Sequence, residues 1–154
     1  MSTYYLDTSA AVKLYVSEVG SDWLRLLLSA DPSPVIMSSH LLRVEMWSAF
    51  TRRLREGSVT LDEHTRMHDL FAQHRHAFYR FAPLDETVIQ SACGLIEHHP
   101  LRGYDAVHLA TAMTINRWLA NAGEAELVFL SADNHLNDAA TTEGLTVDNP
   151  NDHL

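Results

Sequence analysis

The chain has 154 residues, of which 46% are hydrophobic and 20% are charged, and its 20 acidic residues against 11 lysines and arginines give a formal charge of −9. This length suits a single domain, and the apolar fraction is too high for a disordered chain. The acidic excess argues against a general nucleic-acid coat protein and against a protein that binds anionic membranes, because both need a basic surface.

The cysteine content and the N-terminal segment favour a cytoplasmic protein. Cys93 is the only cysteine, which excludes an intramolecular disulfide and a metal site of several cysteines. The first residues include Asp7 and no basic segment, unlike a signal peptide. Apolar runs such as 23–28 are far shorter than the ~20 residues that span a membrane. We therefore expect a cytoplasmic location and no membrane partner.

Short apolar runs alternate with longer helical patterns along the chain. Strands are predicted at 4–6, 35–37, 78–81, 127–130 and 145–147, where β-branched and aromatic residues are concentrated. Helices are predicted at 8–16, 20–30, 40–56, 60–76, 86–98, 104–122 and 134–143. This alternation predicts an α/β fold with a mostly parallel sheet of about five strands and helices on both faces. No linker appears, so we expect one domain over 1–150 and a short C-terminal tail at 151–154.

Four acidic residues stand where such a fold places functional groups. Asp7 follows the first predicted strand and Asp133 follows the fourth, and open α/β sheets bind ligands at the carboxyl ends of their strands. Either aspartate also fits an ordinary helix N-cap. Glu45 has apolar neighbours within a predicted helix, so it needs a positive partner if it is buried, or contacts nearby arginines on a solvated face. Asp105 opens an apolar helix, where an acid also favours the helix dipole.

The segments that carry these acids resemble the four motifs of the PIN-domain nucleases, in particular of the VapC-like toxins of bacterial toxin–antitoxin pairs. These segments are 5–10, 42–46, 101–110 and 129–133. They follow the family's order and extend over nearly the whole chain. The segment 136–150 is also similar to the family's last helix and strand. The resemblance implies a PIN-like three-layer sandwich. It also implies a metal-dependent endoribonuclease that acts as a toxin and inhibits translation and growth.

The resemblance assigns roles to the four acids. Asp7 and Asp105 would be the central metal ligands, Asp133 would complete the cluster directly or through water, and Glu45 would bind metal or orient the nucleophile. An all-carboxylate site without cysteine suits Mg²⁺ or Mn²⁺ better than Zn²⁺. Metal-activated water would then hydrolyse RNA by in-line attack and leave a 5′-phosphate and a 3′-hydroxyl. A softer metal held by histidines is the alternative, with candidate ligands at His98, His99, His74 and His76.

Other polar residues are predicted to support this site. Ser9, Ser131 and Asn134 would orient the metal ligands. His108 lies one helical turn from Asp105, where it either reaches a phosphate or packs within its helix.

A basic segment offers a surface for the RNA substrate. Residues 43–80 hold seven of the 11 basic residues against five acids. We hypothesise that this helical pair faces the RNA and that Arg52, Arg53 and Arg55 contact phosphates. A solvated helix face is the alternative explanation.

The same segment is rich in large apolar side chains, which either form a core or line a partner groove. They are Met37, Leu41, Leu42, Met46, Trp47, Phe50, Leu54, Met67, Leu70 and Phe71. The resemblance implies a cognate antitoxin in such a groove, a homodimer and a toxin–antitoxin hetero-oligomer.

Three other functions remain open at this stage. They are a non-toxin PIN-like nuclease of RNA processing, a PIN-like scaffold that binds RNA without cutting it, and a phosphatase with Asp7 as nucleophile. The phosphatase needs a second aspartate two residues after the first, where this chain has Ser9.

Overall fold

Five parallel strands form one sheet in a computed structural model that describes residues 1–154. The strands are β1 (Thr3–Leu6), β2 (Val35–Ser39), β3 (Tyr79–Ala82), β4 (Val128–Leu130) and β5 (Thr146–Asp148), in the order β3-β2-β1-β4-β5. In the central strand, Tyr5 lies opposite Met37 of β2 and Phe129 of β4. The predicted parallel sheet of about five strands is confirmed.

Seven α-helices connect the strands. They are α1 (Thr8–Ala11), α2 (Ser21–Leu28), α3 (Leu41–Arg55), α4 (Leu61–Ala77), α5 (Glu86–His98), α6 (Gly103–Asn121) and α7 (Asn134–Thr142). The helix predicted at 8–16 is shorter than expected, because the chain tightens into a 3-10 helix at Val12–Leu14. Buried Lys13 lies in this turn, and its ammonium group donates to the Val19 carbonyl at 2.8 Å, which ties the turn to the following loop.

Apolar side chains pack on both faces of the sheet, which makes the three layers. Successive strand residues point to opposite faces, so Tyr5 packs with α5, α6 and α7, while Leu6 packs with α1 to α4. The core takes most of the apolar side chains considered for a partner groove on α3 and α4. Those buried there are Leu42, Met46, Phe50, Met67 and Phe71, whereas Trp47 and Leu70 remain exposed. No helix has the length and apolarity needed to cross a membrane.

The last residues pack onto the start of α2. A 3-10 helix covers Pro150–Asp152, so it begins one residue before the predicted tail at 151–154 and continues into it. The imidazole of His153 stacks on the indole of Trp23, with ring centroids 3.8 Å apart and planes 2° apart. Gly20 precedes α2 with a φ of 81°, and a Cβ there would lie 2.1 Å from the Pro150 carbonyl oxygen. Glycine is therefore the residue that lets these two segments meet.

The strand order places a crevice beside the central strand. From β1 the chain adds β2 and β3 on one side and then β4 and β5 on the other. In parallel sheets this reversal opens a ligand-binding crevice at the carboxyl ends of the strands. Asp7 follows β1 at this edge, and Ser131 and Asp133 follow β4.

Candidate active site

Asp7 lies between β1 and α1 and is the N-cap of α1, which is the alternative that the sequence offered for this aspartate. Its Oδ1 accepts hydrogen bonds from the Ala10 N–H at 2.9 Å and from the Ser9 hydroxyl at 2.8 Å. Its Oδ2 accepts from the Ser131 hydroxyl at 2.7 Å. Burial raises the pKa of this carboxyl, while attraction to His108 and the hydrogen bonds oppose the rise. The carboxylate is therefore held in one orientation by three donors.

Two serines connect the loops that follow β1 and β4. The Ser131 hydroxyl donates to Asp7 and accepts from the Asp133 N–H at 3.1 Å. The Ser9 hydroxyl accepts from the Ala132 N–H at 2.9 Å. Both serines therefore touch the acids or the loop that presents them, which is the arrangement expected of residues that orient metal ligands.

Asp133 is the N-cap of α7, again as its alternative explanation predicted. Its Oδ1 accepts from the N–H groups of His135 and Leu136, at 2.9 and 3.2 Å. The Asn134 side chain instead accepts a hydrogen bond from Asn149 at 2.9 Å. Asn134 thus makes no hydrogen bond to the four acids, and the Asn137 amide further fastens this loop by donating to the Ser131 carbonyl at 2.8 Å.

Glu45 is half-buried on α3, and its side-chain partner is a histidine of another helix rather than an arginine. The Nε2 atom of His108 and the hydroxyl of Thr8, at 2.8 Å, both contact Glu45 Oε1. On its other side His108 pairs through Nδ1 with the Tyr5 hydroxyl at 2.8 Å. Burial raises the pKa of Tyr5 well above its ordinary value, so the phenol keeps its proton. Because a carboxylate oxygen accepts hydrogen bonds, the Nε2 atom of His108 carries the proton that is donated to Glu45.

The sequence did not reveal this chain of hydrogen bonds. His108 neither faces the solvent nor packs only against apolar groups, because it joins Tyr5 of the sheet to Glu45. Thr8 was also missed as a contact of Glu45. The only available signal was position, since Thr8 directly follows Asp7 in the first motif.

Replacing His108 by phenylalanine should lower the free energy of unfolding by about 2 kcal/mol. An aromatic ring is kept, although phenyl is somewhat larger than imidazole, but Tyr5 and Glu45 each lose a hydrogen-bond partner, and an unsatisfied buried polar group costs ~1–3 kcal/mol. Urea denaturation measures the change. His135→Phe is the matched control, since His135 is exposed and should change stability by less than ~0.5 kcal/mol. Equal stability of the two variants would show that the hydrogen bonds of His108 do not hold the site together.

Asp105 occupies the first turn of α6 and is half-buried. Burial raises the pKa of its carboxyl most, and repulsion from Asp133, Asp7 and Glu45 raises it further, while attraction to His108 opposes the rise. The other three predicted acids are therefore each close enough to Asp105 to act on it electrostatically. Their charges are only partly compensated by this protein's own groups.

The donor set of these acids is compatible with a hard divalent cation. All four offer carboxylate oxygens, which Mg²⁺ and Mn²⁺ prefer. As placed, no three histidine, cysteine or acidic side chains converge into the geometry of a metal cage. The fit therefore rests on the chemistry of the donors and on their mutual repulsion, which a cation relieves.

The histidines considered for a softer metal are engaged separately. His98 contacts the Gly94 carbonyl, His99 pairs with Glu143, and His74 contacts the Tyr15 hydroxyl. None of these histidines shares a partner with another, so they do not form a common ligand set.

The three arginines predicted to face RNA lie on two sides of α3. Arg52 and Arg55 line an open groove between α3 and α4. Arg53 lies on the opposite side, where it donates to the Ala49 carbonyl at 3.2 Å and lies 3.9 Å from Glu18. The structure therefore separates Arg53 from the other two.

Comparison with known proteins agrees with this geometry. The family model described as PIN domain matches residues 4–140. The chain is 32% identical over 151 residues to "Ribonuclease VapC45" of Mycobacterium tuberculosis, covering 96% of this chain and 95% of that protein. Its fold is similar to FitAcB from Neisseria gonorrhoeae, with a TM-score of 0.64 at 17% identity over 96% and 97% of the two chains. It is also similar to a toxin–antitoxin complex from Klebsiella pneumoniae, with a TM-score of 0.60 at 15% identity over 96% and 97%.

The PIN-like α/β architecture implied by the four motifs is thus confirmed by fold as well as by sequence. The family model covers the segments of all four acids, and the relative extends along almost the entire chain. The chain therefore belongs to the PIN domain family, in the group that includes the VapC proteins.

Proposed function

We propose that this chain is a divalent-metal-dependent endoribonuclease and the toxin of a toxin–antitoxin pair. The observation that carries the proposal is the gathering of Asp7, Glu45, Asp105 and Asp133 from four separate parts of the chain, with the pKa of Asp105 raised partly by the other three. The name ribonuclease carried by the Mycobacterium tuberculosis relative supports an RNA substrate. A cluster of acids that repel one another is costly to fold, and metal binding supplies a reason to keep it.

Asp7, Asp105 and Asp133 would hold the metal, which is Mg²⁺ or Mn²⁺. When bound, such an ion lowers the pKa of water and offsets the charge of a phosphate group. The contribution of the protein is orientation: Ser9, Ser131 and the Ala10 N–H fix the Asp7 carboxylate before a ligand arrives.

Glu45 would accept the proton of the attacking water. Thr8 and His108 both engage Oε1, which fixes the carboxylate and leaves Oε2 as the proton acceptor. The water oxygen would attack phosphorus in line as its proton passes to Glu45, and the bond to the 3′ oxygen would break. That oxygen would take up a proton from the solvent, which Glu45 returns when it releases its own. The products are a 5′-phosphate and a 3′-hydroxyl.

A protein partner is supported by an apolar groove between α5 and α6. It measures about 520 Å³, and exposed Ile89, Ile96 and Tyr104 lie among its eight hydrophobic lining residues. Exposed apolar side chains that are grouped in a groove offer a surface to which a protein partner can bind. We propose that a second copy and an antitoxin cover the apolar surfaces of this chain, and the toxin–antitoxin complex among its structural neighbours supports the antitoxin.

The burial of Asp7 argues against the phosphatase alternative. A nucleophilic carboxylate must reach a phosphorus atom, but Asp7 is only 4% exposed, and both of its oxygens already accept hydrogen bonds. A role as an oriented metal ligand uses the remaining lone pairs of these oxygens and does not require the side chain to move.

Purified protein should cut RNA in Mg²⁺ or Mn²⁺ and stop cutting in EDTA, with activity restored by excess Mg²⁺. Ligation of an adaptor to the new 5′-phosphates measures both the rate and the end chemistry. Equal cleavage in EDTA, or 5′-hydroxyl ends, would contradict the metal mechanism. A phosphorylated Asp7 would support the phosphatase, binding without cleavage would support the scaffold, and cleavage without growth arrest on expression would indicate a non-toxin nuclease.

A further inference from the structure

An open groove lined mainly by polar and basic side chains runs along α3, the helix that carries Glu45. It measures about 760 Å³, and Arg43, Trp47, Thr51, Arg52, Arg55 and Arg75 account for most of its lining. Only two of its nine lining residues are hydrophobic, so it differs in kind from the apolar groove between α5 and α6.

The arginines of this groove carry uncompensated charge. Arg43, Arg52, Arg55 and Arg75 make no salt bridge, although the chain as a whole has an acidic excess of nine charges. By contrast, Arg53 and Arg25 each lie within 4 Å of an acid. Four unpaired guanidinium groups around one groove favour a polyanionic ligand.

Trp47 supplies an aromatic surface in the middle of these charges. The residue is 64% exposed, and its indole is braced on one side by His68, with ring centroids 4.1 Å apart. Exposed aromatic rings among arginines are the arrangement on which single-stranded nucleic acids stack their bases.

One edge of the groove reaches the face of α3 that carries Glu45, whereas Trp47 lies about half a turn around the helix from Glu45. Glu45 and Arg52 are seven residues apart, almost two full turns, so they lie in line about 10 Å apart along the helix axis. A strand held by the groove therefore lies within reach of the acidic site.

Resting on the function proposed above, we propose that this groove binds an unpaired stretch of the RNA next to the cleaved bond, with one base stacked on Trp47 and the neighbouring phosphates on the arginines. The site thereby selects RNA that is single-stranded on this side of the cut. An acidic protein segment is the competing occupant, and binding of a labelled polyglutamate peptide distinguishes it from RNA.

The test measures binding of a fluorescein-labelled 12-nucleotide RNA by anisotropy, in an Asp105→Asn background so that the probe is not cut. Trp47→Ala should weaken binding of the single strand roughly tenfold, because it removes the surface on which one base stacks. It should change binding of a duplex of the same sequence little. Trp47→Phe should retain most of the affinity, and Trp118→Ala, which removes an exposed indole on α6, should have no effect.

A second measurement tests the arginines through salt. The affinity falls with rising salt, so the slope of log affinity against log salt is negative. Replacing Arg52 and Arg55 by alanine should make this slope shallower by about 0.7 for each phosphate that an arginine no longer neutralises. Arg66→Ala, at an exposed arginine of α4 outside the groove, is the control and should leave the slope unchanged. Unchanged single-strand affinity in Trp47→Ala, or an unchanged slope in the arginine variant, would overturn the proposal.

The outcomes separate this inference from the proposed nuclease activity. If the wild-type chain cuts RNA in Mg²⁺ while the groove variants bind and cut RNA normally, only the groove assignment is wrong. If the wild-type chain cuts no RNA, the nuclease assignment fails, whatever the groove binds. If the groove variants bind RNA normally but lose affinity for a labelled polyglutamate peptide, the groove is a protein-docking surface and the RNA assignment is wrong.

Discussion

Asp105→Asn should lower the rate of RNA cleavage in Mg²⁺ by about a thousandfold or more, because metal-assisted catalysis depends on several kcal/mol of charge stabilisation at the site. The same variant should be at least as stable as the parent when EDTA is present. Asp105 is the acid whose carboxylate accepts no hydrogen bond from the protein and is repelled by Asp133, Asp7 and Glu45. Removing its charge relieves that repulsion.

The stability difference should depend on pH in a defined direction. The pKa of Asp105 is raised above its ordinary value of 3.8, so the folded protein holds this proton more tightly than the unfolded chain does. The ionised carboxylate therefore lowers the free energy of unfolding as the pH rises through the folded-state pKa. Asparagine does not ionise, so the advantage of the variant in EDTA should grow as the pH rises from about 4 and then level off.

Thermal denaturation over a pH series, together with the cleavage assay, measures both effects. Asp138→Asn is the matched control, because Asp138 is an exposed acid of α7 and should change neither activity nor the pH dependence of stability. Mg²⁺ should raise the melting temperature of the parent more than that of Asp105→Asn, since binding to the folded state stabilises it. Full activity of Asp105→Asn would remove this residue from the catalytic site.

Gly20→Ala should lower the free energy of unfolding by about 4 kcal/mol, combining ~1–2 kcal/mol for a left-handed backbone with ~1–3 kcal/mol for a steric clash. The added Cβ would lie 2.1 Å from the Pro150 carbonyl oxygen, and backbone cannot move aside as a flexible side chain does. The variant must therefore separate the start of α2 from residues 150–153, breaking the stack of His153 on Trp23.

Gly57→Ala provides the matched control, since Gly57 has a similar φ of 75° and no atom within 4 Å of the added Cβ. It should cost only the backbone contribution of ~1–2 kcal/mol. Urea denaturation of both variants isolates the clash as the difference between them. Equal losses at the two positions would mean that the contact with Pro150 contributes nothing to stability.

The fold was predictable because its signals are local. Strand and helix positions follow from apolar periodicity and glycine punctuation, and their alternation implies a parallel sheet. The secondary-structure prediction was wrong where tertiary contacts determine the local conformation. The helix predicted at 8–16 tightens at Val12 because Lys13 is buried and bonded to the next loop, and nothing in the spacing of apolar residues reports that contact.

The four acids proposed for the site could be located from their motifs, but the side chains that contact them could not. Glu45 was expected to need a positive neighbour, and the nearest candidates in sequence were arginines of the same helix. Its contact is His108, 63 residues away, because folding brings α3 and α6 together at the sheet edge. Likewise Arg52, Arg53 and Arg55 look equivalent as a basic run, yet the helical turn sends Arg53 to the other side of α3.

The two aspartates that cap helices bear on how the protein would change under selection for loss of toxicity. Asp7 and Asp133 each start a helix with the carboxylate proposed to bind metal, so most replacements there remove activity and helix stability together. Asp105 caps nothing and is repelled by its neighbours. Cells that escape the toxin while keeping an intact, partner-binding protein should therefore accumulate substitutions at Asp105 more often than at either capping aspartate.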